Sequence, residues 1–566
     1  MNPLDLPRNA ILAVRNLARS LRRRGLDYLV LPLEGSLPER TPRRPPLPFP
    51  FSLLPLFPPE VSLEALQHAF DVIGGDPRVK GIVFQIERLQ AGPATLHSLR
   101  RMILALREQG KRTIAWLPDV QNWNYYLATA CDAIAFPPCA QLNVLGLRSE
   151  ALFLKETLEL VGIEADLESI AEYKVAPDMF RRSSMTEPHR EMLGAILDSY
   201  FEELVGAIAE GRGLPTEQVR AFIDRMPMAP EKAVEAGLAD VVAYADELGA
   251  YLAQGDDADA AMVSWDDAAR WLQRPMDWAT RKRIGVVSVE GVIVPGTSRR
   301  LPVPLPLPIE AQAGARTVIQ ALRRAESDPH IAALVLHVES PGGSSLASDL
   351  IWREVRRLRE RMPVVALMGE QAASGGYYVS AAANHIVARP TTMTGSIGIW
   401  GGKFVVGKLY GRLEMGRAEM ERGAMAGVYS ELRPFSAEER RRVRQELGEA
   451  YARFKQVVAE GRGMTDEEVE RIARGRVWTG EQAVSLGLVD ELGGFDRALT
   501  VAKELAKLDP EKDYSVVQVL APGRTLLPMA FPNDDESTWA NLGRTLQHLA
   551  RERLWAMSPW IVRVQS

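Results

Sequence analysis

The stretch EQAASGGYYVSAAANHIVARPTTMTGSIGIWGG, from Glu370 to Gly402, decides how this chain is read. The apolar run Val364 to Met368 leads toward it as a buried strand, and Ser374-Gly375-Gly376 then breaks the pattern before a small-residue helical run that reaches Ala383. Ser374 therefore falls at a strand-to-helix turn, where its hydroxyl is exposed and the amides that follow point outward. The positive end of the helix favours a developing oxyanion at that place. Upstream, the apolar strand Ala333 to Val338 runs into Glu339-Ser340-Pro341-Gly342-Gly343 and a helix opening near Ser345. Glycines let a substrate carbonyl approach the backbone closely, so the amides of Gly342 or Gly343 would pair with that of Gly375 as an oxyanion hole. Alone, Pro-Gly-Gly reads equally well as an ordinary strand-to-helix turn.

Working outward, the chain repeats itself. Asp76-Pro77 aligns with Asp328-Pro329, Glu87 with Glu339, Tyr125-Tyr126 with Tyr377-Tyr378 and Gly146 with Gly398, all at an offset of 252. AEGRG at Ala209 to Gly213 recurs at Ala459 to Gly463, an offset of 250. Two copies of one α/β domain follow. The first copy has Asn122 in place of Ser374 and Leu89-Gln90-Ala91 in place of Pro341-Gly342-Gly343, so it holds no second nucleophile of this type.

SPGG, then AASGGYY some thirty residues on, then TGSIG at Thr394 to Gly398, together resemble the signal peptide peptidase A (protease IV) family. The resemblance covers most of residues 27 to 510 and is closer to the long, tandem form. It implies serine proteases with a Ser/Lys dyad on two tandem Clp-protease/crotonase-like domains of α/β class. It extends to ESIAEYKVAPDMF, where Lys174 stands in the family's Tyr-Lys position; at the 250 offset the second copy has Ala424 there. Each copy thus carries one member of the pair, and a working site requires both. The expected organisation is a basic amphipathic arm (1–26), a first copy with the general-base lysine (27–253), a linker (254–282), a second copy with the serine (283–510) and a tail (511–566).

In this reading Lys174 is the general base and Ser374 the nucleophile, with Gly375 and Gly342 or Gly343 as the oxyanion hole. A lysine serves as base only when burial or positive neighbours lower its pKa. Val175, Ala176, Met179 and Phe180 would supply an apolar surround, and Glu172 and Asp178 would oppose the shift if close. Thr394, Gly395, Ser396, Ile397 and Gly398 are expected to line the groove and pair with an extended peptide. The rival scheme is a Ser-His-Asp triad using His337 or His385, the former on the strand that enters the glycine turn. Two other classes stay open on the residues alone: a crotonase-type acyl-coenzyme A enzyme, which also uses glycine-amide oxyanion holes, and a non-catalytic scaffold.

Composition narrows the partners. A formal net charge of -5 offers no basic excess for a nucleic-acid backbone, and two cysteines, Cys131 and Cys139, exclude a disulfide framework and a cysteine-rich zinc site. The chemistry calls for no metal or organic cofactor. No run approaches the roughly 18 apolar residues of a membrane-spanning helix, and Ala10 to Val14 is too short for a secretory leader. A cytoplasmic or peripherally membrane-associated protein is expected, in departure from long family members with an N-terminal anchor. The basic helix with Ile11, Leu12, Val14, Leu17 and Leu21 suits a protein surface or an anionic membrane face. The proline-rich stretches 41–59 and 300–308 read as loops facing an oligomer, substrate or lipid. The resemblance further implies peptide substrates and a bowl-shaped homotetramer. Beyond 510 a strand over 514–520 and a helix over 539–555 are expected.

Overall fold

A computed structural model of the chain describes residues 5–22, 25–40, 61–253, 258–276, 280–300, 311–510, 512–522, 554–557 and 564–565. The proline-rich loops 41–59 and 301–308 lie outside the described residues, as does most of the helix expected over 539–555. Its last two positions, Leu554 and Trp555, belong to a strand, Leu554–Met557.

The repeat is visible element by element. Helix Leu63–Gly75 corresponds to Ala315–Ser327, and helix Glu187–Arg212 to Ala437–Arg462, at the offsets read from the sequence. The two long helices start and stop by the same chemistry. Thr186 and Ser436 accept N-terminal amides through their hydroxyls, and Gly213 and Gly463 each end the helix at φ 64°, where a side chain would be strained.

Each copy is built on a parallel sheet, with the edge strand Val477–Thr479 of the second running antiparallel. In the first, the strand order is Met262–Ser264, Tyr28–Ser36, Gly81–Gln90, Arg112–Trp116, Ala133–Phe136, Val241–Val242. In the second, Val477–Thr479, Met393–Gly395, Val364–Ala373, Ile331–Ser340, Arg283–Glu290 and Ser515–Gln518 run in order, with His385–Ala388 also paired to Val364–Ala373. The central strands are apolar and buried at nearly every position, because helices cover both faces of such a sheet. Both sheets reach past the boundaries expected from sequence. Met262–Ser264 comes from the stretch read as linker and Ser515–Gln518 from the stretch read as tail.

A third sheet joins the copies. Strand Trp400–Val405 of the second pairs antiparallel with Glu164–Ser169 of the first, in unbroken register from Trp400 opposite Ser169 to Val405 opposite Glu164. Arg440 of the second-copy long helix fastens this strand through Asp166, at 2.7 Å, and Glu168. Lys174 follows five residues after Ser169, so this exchange carries it into the second copy.

Candidate active site

Strand Val364–Ala373 ends at Ser374, and helix Gly375–Ser380 begins directly after it. Ser374 holds φ 54° and ψ -114°, a backbone conformation that costs a non-glycine residue on the order of 1–3 kcal/mol. The surroundings impose it: the Ser374 amide donates to the Gly395 carbonyl at 2.7 Å, and its carbonyl accepts from Tyr378 at 2.8 Å. Gly376 is packed against the Ser340 carbonyl, 2.7 Å from where a Cβ would stand.

Lys174 Nζ lies 2.7 Å from Ser374 Oγ, 2.9 Å from the Ser396 carbonyl oxygen and 3.0 Å from Ser396 Oγ. The three groups are almost wholly buried, Lys174 1% and Ser374 0% exposed, so the turn does not expose the Ser374 hydroxyl as its sequence suggests. Burial pulls the Lys174 amine well below its ordinary value of 10.5, since the charged form has lost its water. The two carboxylates that threatened to oppose this are engaged elsewhere: Glu172 with Arg474 at 3.0 Å, and Asp178 with Arg181 at 2.7 Å. Of the four residues expected to surround it, Val175 belongs to the first-copy core and Ala176 and Phe180 to a separate apolar cluster, while Met179 is in neither. The lysine backbone is held as tightly as its amine. Tyr173 N–H donates to the Arg474 carbonyl, and a Cβ on Gly475, itself at φ 83°, would come within 2.5 Å of Lys174 N.

Of the three glycines expected at the oxyanion position, Gly342 spends its amide on Ser340 Oγ, 3.1 Å away. Gly343 and Gly375 lie against each other, a Cβ on Gly375 falling 3.1 Å from Gly343 N. Ser340 Oγ in turn donates to the Gly291 carbonyl. The turn is therefore locked by the serine of the SPGG motif, a role its motif alone does not reveal.

Thr394 and Gly395 do not offer a free edge. Strand Met393–Gly395 is paired on one side with Gln371 to Ala373 and on the other with Val477 to Thr479, and the Ser396 amide donates to the Arg476 carbonyl. Ser396 faces the lysine, and Gly398 packs 3.2 Å, measured from a notional Cβ, from Lys174 Cδ. Ile397 is wholly buried in the second-copy core. Extended pairing is found instead at strand Gly342–Ser344, where Leu554–Met557 lies antiparallel, Gly342 opposite Met557 and Gly343 opposite Ala556. The same segment pairs with Trp400 and Gly401 on its other edge. Met557 is buried with Leu167, Ala176, Val292, Val294 and Trp400.

No histidine among the described residues bonds Ser374. His385 Nε2 is 3.0 Å from Glu491, and neither ring nitrogen of the buried His337 has a hydrogen-bond partner.

The sequence model of peptidase family S49 matches residues 105–259 and again 356–509. The serine protease SPPA of Arabidopsis thaliana chloroplasts is 33% identical over 469 residues, covering 82% of this chain and 69% of that protein. Protease 4 of Haemophilus influenzae is 29% identical over 471 residues, 80% of this chain and 74% of its own. Among solved structures, a ClpP1 mutant from Listeria monocytogenes aligns with 38% of this chain and 94% of its own at 14% identity, TM-score 0.24.

Proposed function

Because the chain belongs to peptidase family S49 and is a serine protease, we propose that Lys174 and Ser374 are its general base and nucleophile, one from each copy. The observation that carries this is the buried 2.7 Å contact between Nζ and Oγ. A neutral amine has two N–H bonds and one lone pair. Two acceptors, the carbonyl and hydroxyl oxygens of Ser396, take the N–H bonds, and the lone pair is left for the proton of Ser374. Burial, which disfavours the ammonium ion, selects this neutral arrangement.

The reaction is acyl transfer. Ser374 O–H gives its proton to Lys174, Oγ adds to a peptide carbonyl, and the amides of Gly375 and Gly343 hold the oxyanion. Lys174 then protonates the departing amine, which restores the neutral base; in the second half Lys174 takes a proton from water as its oxygen adds to the ester, and returns that proton to Ser374 Oγ as the acid leaves. Family membership sets the acyl-coenzyme A and scaffold readings aside.

The substrates are remnants of cleaved signal peptides and other unfolded hydrophobic peptides. The groove between Gly342–Ser344 and Trp400–Val405 supports this, since it accommodates an extended segment by backbone pairing and receives an apolar side chain beside Ala176. Lys174 in the region 27–253, Ser374 in 283–510, the arm before them and the tail after them make up the working unit, which assembles as a homotetramer. It meets a membrane peripherally through helix Asp5–Arg22; no helix among the described residues is long and apolar enough to cross one.

Ser374→Ala and Lys174→Ala each abolish peptide hydrolysis in a protein that stays folded, and a fluorophosphonate labels Ser374 in the wild type alone. Activity retained in Lys174→Ala would dismiss the dyad.

A further inference from the structure

A second polar cluster lies four residues before Ser374 along the same strand, and its centre is the half-buried Glu370. A charged residue in the middle of a covered parallel strand is costly unless its oxygens are satisfied. Here the partners come from the other copy: Glu370 Oε1 accepts from Thr95 N–H at 2.6 Å and Oε2 from Ala94 N–H at 3.1 Å. These are the second and third residues of helix Pro93–Glu108, whose N-cap is Gly92 and offers no side chain to its own first turn. The carboxylate of Glu370 fills that vacancy so closely that a Cβ on Gly92 would stand 2.3 Å from it. The cap of a first-copy helix is thus supplied by the second copy, where the helix dipole and two N–H groups meet a negative charge.

The same residue is tied to both active-site turns. Its own amide donates to Glu339 Oε2 at 2.7 Å, and Glu339 immediately precedes Ser340, which locks the glycine turn. Four residues after Glu370 stands Ser374. Arg389, 1% exposed, works in parallel: it donates to the Met368 carbonyl on the nucleophile strand, to Ser98 Oγ on the capped helix and to Glu39 of the first copy, the last at 2.5 Å. At the aligned positions of the first copy stand Pro118 and Pro137, so this clamp belongs only to the copy that carries the serine.

We propose that Glu370 is a positioning residue of the catalytic centre: by capping helix Pro93–Glu108 across the copy interface it fixes the end of strand Val364–Ala373, and with it the place of Ser374 Oγ against Lys174. This rests on the dyad reading for what is positioned. It goes beyond it in naming the group that sets the alignment. Displacement of a reacting atom by about 1 Å costs on the order of 100-fold in rate, whereas loss of a helix cap alone costs stability and leaves turnover intact.

The experiment separates the two effects in the full chain, with a peptide substrate and thermal melting read together. Glu370→Ala lowers kcat about 100-fold with KM within about twofold, and lowers Tm. In the double variant Gly92→Asp with Glu370→Ala, an aspartate at the N-cap takes the Ala94 and Thr95 amides from within the first copy; Tm recovers and kcat stays low. Glu370→Gln, which keeps the side chain's size but turns an N–H donor toward the helix amides, lowers kcat at least about tenfold in a folded protein. Recovery of kcat together with Tm in the double variant, or a kcat within about twofold of wild type in Glu370→Gln, overturns the proposal. Lys174→Ala, run alongside, reports on the dyad separately: if it keeps wild-type turnover the dyad fails, while the Glu370 variants are still read against wild type.

Discussion

Lys174 and Ser374, 200 residues apart in sequence, meet at 2.7 Å because the strand before the lysine is paired, residue for residue, with the strand that follows the serine's own sheet. The two copies are held in register there by backbone hydrogen bonds, which no single side-chain substitution removes.

With Lys174 as the proposed base, activity is expected to follow its protonation. Burial lowers its pKa, so the neutral, competent form persists to lower pH than for a lysine in water. As pH falls through the lowered value the amine gains a proton, its lone pair is lost and the rate drops. A profile of kcat/KM therefore shows one ascending limb with its midpoint below 10.5, and the rate of Ser374 labelling by a fluorophosphonate traces the same limb. A midpoint unchanged from that of a solvated lysine contradicts the burial argument.

Ser396 holds the lysine through two of its atoms, and substitution to alanine removes one of them, the 3.0 Å hydroxyl. The amine then keeps a single fixed acceptor and samples rotations in which its lone pair misses Ser374. Ser396→Ala lowers kcat by roughly 10-fold to 100-fold and leaves KM within about twofold, because the groove is untouched. Steady-state kinetics with one peptide measures both.

Much of this centre is legible in the sequence, and what is not has a physical cause. The turn at Ser374 announces itself by an apolar run broken by two glycines, and the repeat by offsets of 252 and then 250, so strand, turn, helix and repeat all follow from local pattern. Ser396 was expected to touch substrate. A serine between Gly395 and Ile397 in a small-residue stretch reads as groove lining, and only the positive φ of 52° together with the arriving lysine turns it inward. Glu370 carries no signal at all, since its partners are backbone amides 275 residues away. Nor does EADLES announce that it pairs with WGGKFV: both are short, mixed segments, and their match is decided by the packing of the copies.

Gly475→Ala tests how firmly the lysine backbone must be seated. The added methyl would lie 2.5 Å from Lys174 N and 2.6 Å from its Cβ, at a φ of 83° that already disfavours a side chain. Lys174 has to shift, and kcat falls on the order of 100-fold. Gly463→Ala is the control. It too has a positive φ, 64°, yet nothing lies within 4 Å, so it costs about 1 kcal/mol of stability and leaves kcat unchanged.

Glu339 gives stability a pH dependence of known sign. Burial and the neighbouring charge of Glu370 push its carboxyl up to about 8 from an ordinary 4.5. A folded-state value above the unfolded one means the folded chain holds the proton more tightly. This contribution is complete below 4.5 and is lost as pH rises toward 8, at a slope approaching about 1.4 kcal/mol per pH unit. Glu339→Gln mimics the protonated acid and removes the dependence. Denaturation midpoints at pH 5 and pH 8.5, flags of about one proton's linkage, show wild type losing ground to the variant as pH rises; parallel curves for the two proteins would exclude the effect.

Helix Asp5–Arg22 sits on the protein the unusual way round, and that predicts membrane binding. Its polar side does the docking: Asn16 exchanges two hydrogen bonds with the backbone of Arg274, Arg78 donates to the Arg19 carbonyl, and Asn9 is buried. The apolar side, Ile11, Val14, Leu17 and Leu21, faces outward with 56 to 69% of each residue exposed, and Arg8 and Arg15 are exposed on the same helix. Leaving such a face in water forgoes on the order of 1.5–3 kcal/mol for each side chain that could be buried, whereas a bilayer surface takes the apolar side chains and its anionic headgroups take the arginines. The protein should therefore sediment with vesicles containing phosphatidylglycerol, less with pure phosphatidylcholine, and less again in high salt, which screens the arginine contribution. Leu17→Glu with Leu21→Glu places two carboxylates on the inserting face and abolishes the binding while hydrolysis of a soluble peptide is unchanged. Equal sedimentation of wild type and double variant would assign the exposed face to something other than lipid.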